Sequence, residues 1–178
     1  MTLPRVSVVG SGTRGWEKRA VPLGQALARG GFHLVTGGGG GVMAAVARGF
    51  TAVTPRAGLS VGVLPAEEGA SPPVPPPGYP NPWVELPVQT HLAARGGRGG
   101  DPDSRNHLVV LSGDAVVALP GGAGTLSEVK LALDYGRPVV AHLQNPSEFP
   151  GLPSPVPLAP VLEDVMAFLE GILPNRDA

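Results

Sequence analysis

Short apolar runs alternate along the chain with stretches whose apolar residues recur at helical spacing. The apolar runs predict strands at residues 5–10, 32–36, 59–64, 115–119 and 136–141. A further strand at 83–88 is weakened by Pro87, which has no amide to donate to a sheet. The helical spacing predicts helices at residues 16–29, 42–52, 103–112, 124–135 and 159–173, the third of them capped by Asp103 or Ser104.

Strands that alternate with helices in this way are typical of an α/β protein. We therefore expect a Rossmann-like, doubly wound parallel sheet with helices on both faces. The length of 178 residues, with 42% hydrophobic and 15% charged residues, predicts a single domain over residues 1–178. Two Pro-rich segments, 69–82 and 144–157, interrupt the alternation. The first is predicted to lack regular structure, and the pattern assigns no role to either.

The composition and net charge of the chain argue against several classes of function. The formal net charge of −1 offers no broad basic surface, so we expect no nucleic-acid partner. The absence of cysteine excludes disulfides, thiolate metal sites and a cysteine nucleophile. No apolar stretch reaches the length of a membrane span, and the N-terminus leads directly into a strand. We therefore expect a cytoplasmic protein without a membrane partner.

Three glycine-rich turns follow predicted strands, at residues 10–15, 37–41 and 121–124. In open parallel sheets, ligands bind beyond the carboxyl ends of the strands. We therefore expect the three turns to converge on one site. Each turn alone is weak evidence, because tight turns and close helix packing also require glycine.

The third turn carries the most specific pattern, since it joins a buried strand to a helix. At such a junction, backbone N–H groups and a helix N-terminus can face an anion. The candidate phosphate-binding residues are therefore Gly121, Gly122, Gly124 and Thr125, and Pro120 is a further candidate binding residue of the same turn. Glu128 follows one helical turn later, and this segment is where we expect the chemistry.

Residues 120–128 resemble the Pro-Gly-Gly-x-Gly-Thr-x-x-Glu signature of the LOG family, the lysine decarboxylase-like phosphoribohydrolases that activate cytokinins. The wider superfamily includes the molybdenum cofactor carrier proteins. The first turn, with Gly10 and Ser11, is similar to a second loop of the family. The turn Gly38-Gly39-Gly40, which precedes Met43, is similar to a third. The resemblance spans roughly residues 5–141 without the Pro-rich segments.

A second family motif, Met-His-x-Arg-Lys, lies about twenty residues before the signature. Here Arg105 matches the family arginine, Asn106 stands at the lysine position, and the leading Met-His is absent. An Arg-Asn pair is similar to the carrier-protein branch. Arg105 could hold a phosphate or orient Glu128, although a purely structural Arg105–Glu128 ion pair is the alternative.

The resemblance leaves two functions open. The first is binding of a nucleoside monophosphate or a molybdenum cofactor without turnover, with Asn106 among the ligand contacts. The second is hydrolysis of the N-glycosidic bond of a nucleoside 5′-monophosphate, with Glu128 and Arg105 as catalytic residues. Neither requires an additional cofactor or a metal ion. The resemblance also implies a homodimer or higher homo-oligomer, with residues 103–105 near the interface.

Other polar residues have weaker patterns. His33 lies in an apolar strand, where we favour a packed or surface imidazole over a ligand, and His91 and His107 are not spaced as a metal pair on one helix. His142 could face the cleft, although we favour a position outside it. Arg14 and the basic loop 95–98 could meet a phosphate, although we favour solvated loops for both.

Overall fold

The computed structural model describes residues 2–173 and contains one parallel sheet of six strands in this range. The strands are β1 (Arg5–Val9), β2 (His33–Thr36), β3 (Ser60–Leu64), β4 (Leu86–Gln89), β5 (Ala115–Ala118) and β6 (Val139–Ala141). The helices are α1 (Glu17–Arg29), α2 (Val42–Thr51), α3 (Asn106–Ser112), α4 (Ala123–Asp134) and α5 (Leu162–Ile172). Two short 3₁₀ helices lie at Gly96–Arg98 and Pro146–Glu148.

The strand order is β4-β3-β2-β1-β5-β6. The chain therefore builds outward from β1 in one direction and then returns to add β5 on its other side. This reversal defines a doubly wound sheet, and the predicted Rossmann-like fold is confirmed.

Side chains alternate along the strands between two hydrophobic clusters. In β5, Ala115 and Val117 join one cluster, whereas Val116 and Ala118 join the other. Helices α1, α2 and α5 pack on the first face, and α3 and α4 pack on the second. Strands buried on both faces read as continuous apolar runs, which explains why their pattern was visible in the sequence.

The pairing of β1 with β5 positions the candidate site. Val9 lies opposite Ala118, so the two strands end side by side. The amide of Ser11 donates to the carbonyl of Pro120 at 3.1 Å, and the amide of Val42 donates to the carbonyl of Ser11 at 2.8 Å. The three glycine-rich turns therefore meet at the point where the strand order reverses.

Several predicted boundaries were wrong. The fourth strand begins at Leu86, later than predicted, and accommodates Pro87 because it lies at the edge of the sheet. The third helix begins at Asn106, so neither Asp103 nor Ser104 occupies the cap position, although the hydroxyl of Ser104 accepts from the amide of Asn106 at 3.2 Å.

The last helix begins at Leu162 and not at residue 159. The amide of Ala159 donates to the carbonyl of Ala141 at 2.8 Å, so this part of the chain runs along β6 before the helix starts. Among residues 2–173, no helix has both the length and the apolar character needed to cross a membrane.

Candidate ligand-binding site

A cavity of about 270 Å³ opens beyond the carboxyl ends of β1 and β5. Nine of the residues that the sequence nominated line it: Gly10, Ser11, Met43, Arg105, Asn106, Gly122, Gly124, Thr125 and Glu128. Five other nominated residues lie around it without lining it: Gly38, Gly39, Gly40, Pro120 and Gly121. The site is therefore composite, with contributions from turns that are distant in sequence.

The turn before α4 is packed too closely to accept a side chain at Gly121. A Cβ at this position would lie 2.0 Å from Oγ1 of Thr125 and 3.0 Å from the amide nitrogen of Ser11. Gly122 differs, because a Cβ there would meet no atom within 4 Å. Gly121 therefore shapes the turn, whereas Gly122 leaves its backbone open to the cavity.

Helix α4 has twelve residues and begins directly at this turn. In the described range, no side chain caps its N-terminus. The first amides of a helix have no partner within the helix, and its dipole places partial positive charge at this end. Gly122, Gly124 and the buried Thr125 line the cavity. This end of the cavity therefore suits an anion.

The turn after β2 acts as a support for the site. Gly38 has a φ of +74°, which favours glycine, and its amide donates to Oγ1 of Thr36 at 3.1 Å. Asn81, from the first Pro-rich segment, is buried and binds this turn. Its backbone amide donates to the carbonyl of Gly38 at 2.8 Å, and its side-chain Nδ2 donates to the carbonyl of Gly39 at 2.9 Å.

Arg105 and Glu128 lie at the base of the cavity and are 5% and 7% exposed. Nη1 of Arg105 lies 4.0 Å from Oε1 of Glu128. The guanidinium also donates hydrogen bonds to Oδ1 of Asn106 and, at 3.4 Å, to the carbonyl of Gly37. Nε of Arg105 is buried and has no hydrogen-bond partner in the described part of the chain. The pair is thus an ion pair that also lines the cavity.

Burial raises the pKa of Glu128 from its ordinary value of 4.5 to about 7, and the charge of Arg105 only partly opposes this effect. The carboxyl group can therefore gain or lose a proton near neutral pH. A group with this property can donate a hydrogen bond or exchange a proton with a bound molecule.

Sequence reasoning did not nominate Tyr79, which lines the cavity from the first Pro-rich segment. The sequence offered one indication of this position. Tyr79 follows β3, whose carboxyl end lies at the same edge of the parallel sheet as the carboxyl ends of β1 and β5. Gly12 and Thr13 of the first turn were missed as individual contacts. In the basic loop, Arg95 and Gly96 line the cavity, whereas Arg98 pairs with Asp101 and Asp103 on the surface.

The histidines lie elsewhere. Nδ1 of His33 accepts from the amide of Leu59 at 3.0 Å, and His107 binds the hydroxyl of Tyr135 at 2.6 Å. His142 is buried away from the cavity, where its Nδ1 donates to the carbonyl of Ala159 at 2.8 Å, and burial lowers its pKa. Within residues 2–173, no group of three or more histidine, aspartate or glutamate side chains could hold a metal ion.

Arg14 also lies outside the cavity. Its guanidinium stacks 3.8 Å from the ring centroid of Trp16, at the start of α1. The first turn therefore approaches the cavity through its glycines and hydroxyls and not through this arginine.

The sheet order and the cavity at the reversal of that order define a Rossmann-like protein with a candidate ligand site at its topological switch point. The chain belongs to the SLOG cluster4 family, whose sequence profile matches residues 3–151. This range includes the first Pro-rich segment, which the motif resemblance left outside. An uncharacterized protein of Archaeoglobus fulgidus is 30% identical over 154 residues, covering 85% of this chain and 87% of the relative.

Two solved structures of molybdenum cofactor proteins are similar to this chain. The molybdenum cofactor binding protein of Rippkaea orientalis is 29% identical, with a TM-score of 0.73, covering 97% of this chain and 98% of that one. The molybdenum cofactor carrier protein of Chlamydomonas reinhardtii is 27% identical, with a TM-score of 0.71, covering 98% and 100%. The predicted membership in the LOG-like superfamily, near the carrier-protein branch, is confirmed.

Proposed function

We propose that the cavity binds a small phosphorylated ligand, either a nucleoside monophosphate or a molybdopterin-type cofactor. The observation that carries the proposal is the uncapped N-terminus of α4, which opens into a cavity that Arg105 and Arg95 also line. The names of the R. orientalis and C. reinhardtii proteins support a ligand of this class.

The phosphate is assigned to the start of α4. Backbone amides of Gly122 and Gly124 and the hydroxyl of Thr125 would donate hydrogen bonds to its oxygens. These donors fit an anionic phosphate whether it belongs to a nucleotide or to a pterin cofactor. Gly10, Ser11 and Met43 would contact the remainder of the ligand, and Asn106 would keep the Arg105 guanidinium beside it.

The binding test uses calorimetric titration of AMP and GMP into the wild type and two variants. Thr125→Val removes one hydroxyl at nearly constant volume and is expected to weaken binding about 10-fold, the usual effect of losing a hydrogen bond to a charged group. Ser127→Ala is the matched control, because the Ser127 hydroxyl donates to the carbonyl of Ala123 within the same helix. Equal affinities for Thr125→Val and the wild type would contradict the phosphate assignment.

A second candidate function is hydrolysis of the N-glycosidic bond of a nucleoside 5′-monophosphate. The buried Glu128, with a pKa of about 7, favours it. As a carboxylate, Glu128 would stabilise positive charge on the ribose and accept a proton from the attacking water, and this proton would pass to the departing base. The products would be the free base and ribose 5-phosphate.

Incubation with AMP and with an N6-substituted AMP distinguishes the two functions. The hydrolase predicts release of free base, and Glu128→Gln would abolish release while binding persists. Micromolar binding without release above background would exclude the enzyme and leave the binding function.

We also propose that the chain forms a single domain and assembles with copies of itself. Leu108 and Leu111 on α3 are exposed, which provides an apolar surface near the cavity. Light scattering would show a homo-oligomer for the wild type and a smaller species for Leu111→Glu.

A further inference from the structure

We propose that Tyr79 forms the wall of the cavity that receives a planar heteroaromatic ring of the ligand. The first Pro-rich segment, residues 69–82, would thereby select ligands that carry such a ring. This inference rests on the proposed function, because it assigns the other end of the ligand whose phosphate lies at α4.

Tyr79 is placed to make this contact. Its side chain is half-buried and lines the cavity together with Met43, Arg105 and the first turn of α4. Within the described part of the chain, it is the one aromatic side chain among the residues that line the cavity. An aromatic ring offers a planar apolar face that can stack on any nucleobase or pterin, because each of these has a π-face.

The segment that carries Tyr79 is anchored on both sides of the ring. The amide of Tyr79 donates to the carbonyl of Pro76 at 3.2 Å. Asn81 is 6% exposed, and it binds the carbonyls of Gly38 and Gly39. Its Oδ1 also accepts from the amide of Trp83 at 3.1 Å. A segment held in this way loses little conformational freedom when a ligand binds.

Gly39 makes room for the ring. A Cβ at Gly39 would lie 2.7 Å from Cζ of Tyr79 and 2.8 Å from its hydroxyl oxygen. Any larger residue would therefore displace the tyrosine from its position in the wall. This explains a requirement for glycine at a position that does not itself line the cavity.

Met43 complements this wall from another side. It is buried at the start of α2, and its thioether lies close to Gly37. Methionine adapts to the shape of flat ligands because it is unbranched and polarizable. The cavity therefore combines an end rich in hydrogen-bond donors with an end that offers apolar and aromatic surface.

The experiment compares ligands with and without the ring. AMP, GMP and ribose 5-phosphate are titrated into the wild type, Tyr79→Ala and Tyr79→Phe. GMP is included because guanine shares its 2-amino-4-oxopyrimidine ring with pterins. Tyr135→Ala is the matched control, since Tyr135 is the second of the two tyrosines of the chain and lies outside the cavity. Circular dichroism and thermal unfolding verify that each variant is folded.

Tyr79→Ala is expected to weaken binding of AMP or GMP about 10-fold, because one base–aromatic stack is lost. The same variant should bind ribose 5-phosphate within about twofold of the wild-type affinity, because this ligand has no ring to stack. Tyr79→Phe and Tyr135→Ala are expected to bind all three ligands as the wild type does. Equal effects of Tyr79→Ala on the nucleotides and on ribose 5-phosphate, or no effect on either, would overturn the inference and leave the proposed function intact. A wild type that binds none of the three ligands would overturn the nucleoside monophosphate form of the proposed function, together with the inference that rests on it.

Discussion

Nη1 of Arg105 lies 4.0 Å from Oε1 of Glu128, while the same guanidinium donates hydrogen bonds to Asn106 and to the carbonyl of Gly37. The arginine therefore donates its hydrogen bonds to two other acceptors and faces Glu128 only as an ion pair, so it compensates the buried carboxylate incompletely. Desolvation prevails, so the pKa of Glu128 rises to about 7. We therefore expect Asn106, at the position where the LOG family motif has lysine, to influence the protonation of Glu128 through Arg105.

The Glu128→Gln variant tests this electrostatic description through stability. Because the pKa of Glu128 is about 7 in the folded protein and ordinarily 4.5, the folded state binds more protons between these values. Protonated Glu128 therefore contributes to the free energy of unfolding of the wild type. This contribution is fully present below pH 4.5 and is lost as the pH rises through about 7. Glutamine does not titrate, so the variant should gain stability relative to the wild type over this range.

At about 1.4 kcal/mol per pH unit, the free energy of unfolding of Glu128→Gln should rise relative to that of the wild type by at most about 3 kcal/mol between pH 4.5 and pH 8. Urea unfolding of both proteins at several pH values measures it. Parallel stability profiles for the two proteins would contradict a raised pKa at Glu128.

Asn106→Ala is expected to lower the pKa of Glu128 from about 7 toward its ordinary range. Without the Asn106 acceptor, the Arg105 guanidinium can pair more closely with the carboxylate and favour its charged form. NMR titration of labelled glutamate carboxyl carbons, assigned by comparison with Glu128→Gln, would record the shift. The control is Asn145→Ala, since Asn145 is exposed and its side chain accepts hydrogen bonds from the amide and hydroxyl of Ser147. An unchanged Glu128 titration in Asn106→Ala would show that Asn106 has no such role.

The turn before α4 should respond differently to alanine at its two adjacent glycines. Gly121→Ala forces a Cβ to within 2.0 Å of the Thr125 hydroxyl and should destabilise the protein by about 1–3 kcal/mol, as overpacking does. Gly122→Ala adds a Cβ in open space and should change the free energy of unfolding by less than about 0.5 kcal/mol. Denaturant unfolding of both variants provides the comparison, and equal losses would show that the turn adapts to a side chain.

Arg95 is expected to attract the ligand phosphate from the exposed rim of the cavity. Arg95→Ala should weaken AMP or GMP binding about threefold at low ionic strength, and the difference should shrink in high salt because exposed charges are screened. Arg98→Ala is the matched control, since Arg98 pairs with Asp101 and Asp103 and does not line the cavity. Salt-independent weakening by Arg95→Ala would indicate a steric contribution and no charge effect.

Much of the fold could be predicted from local patterns. The strand β5 is buried on both faces, so its run of apolar residues was unambiguous. The turn between β5 and α4 was equally clear, because Gly121 and Gly122 interrupt the chain where a strand gives way to a helix. The start of α5 could not be predicted, because Ala159 is hydrogen-bonded to Ala141 and the chain runs along β6 before the helix begins.

The sequence by itself determined the order of strands and helices and the candidate anion-binding turn, because hydrophobic periodicity and glycine conformation are properties of neighbouring residues. Only the tertiary structure decided which distant side chains complete the cavity. Tyr79 reaches it because Asn81 binds the carbonyl of Gly39, 42 residues earlier. Arg105 turns partly toward Gly37, 68 residues earlier. Contacts over such separations depend on how the strands pair, and no local pattern records them.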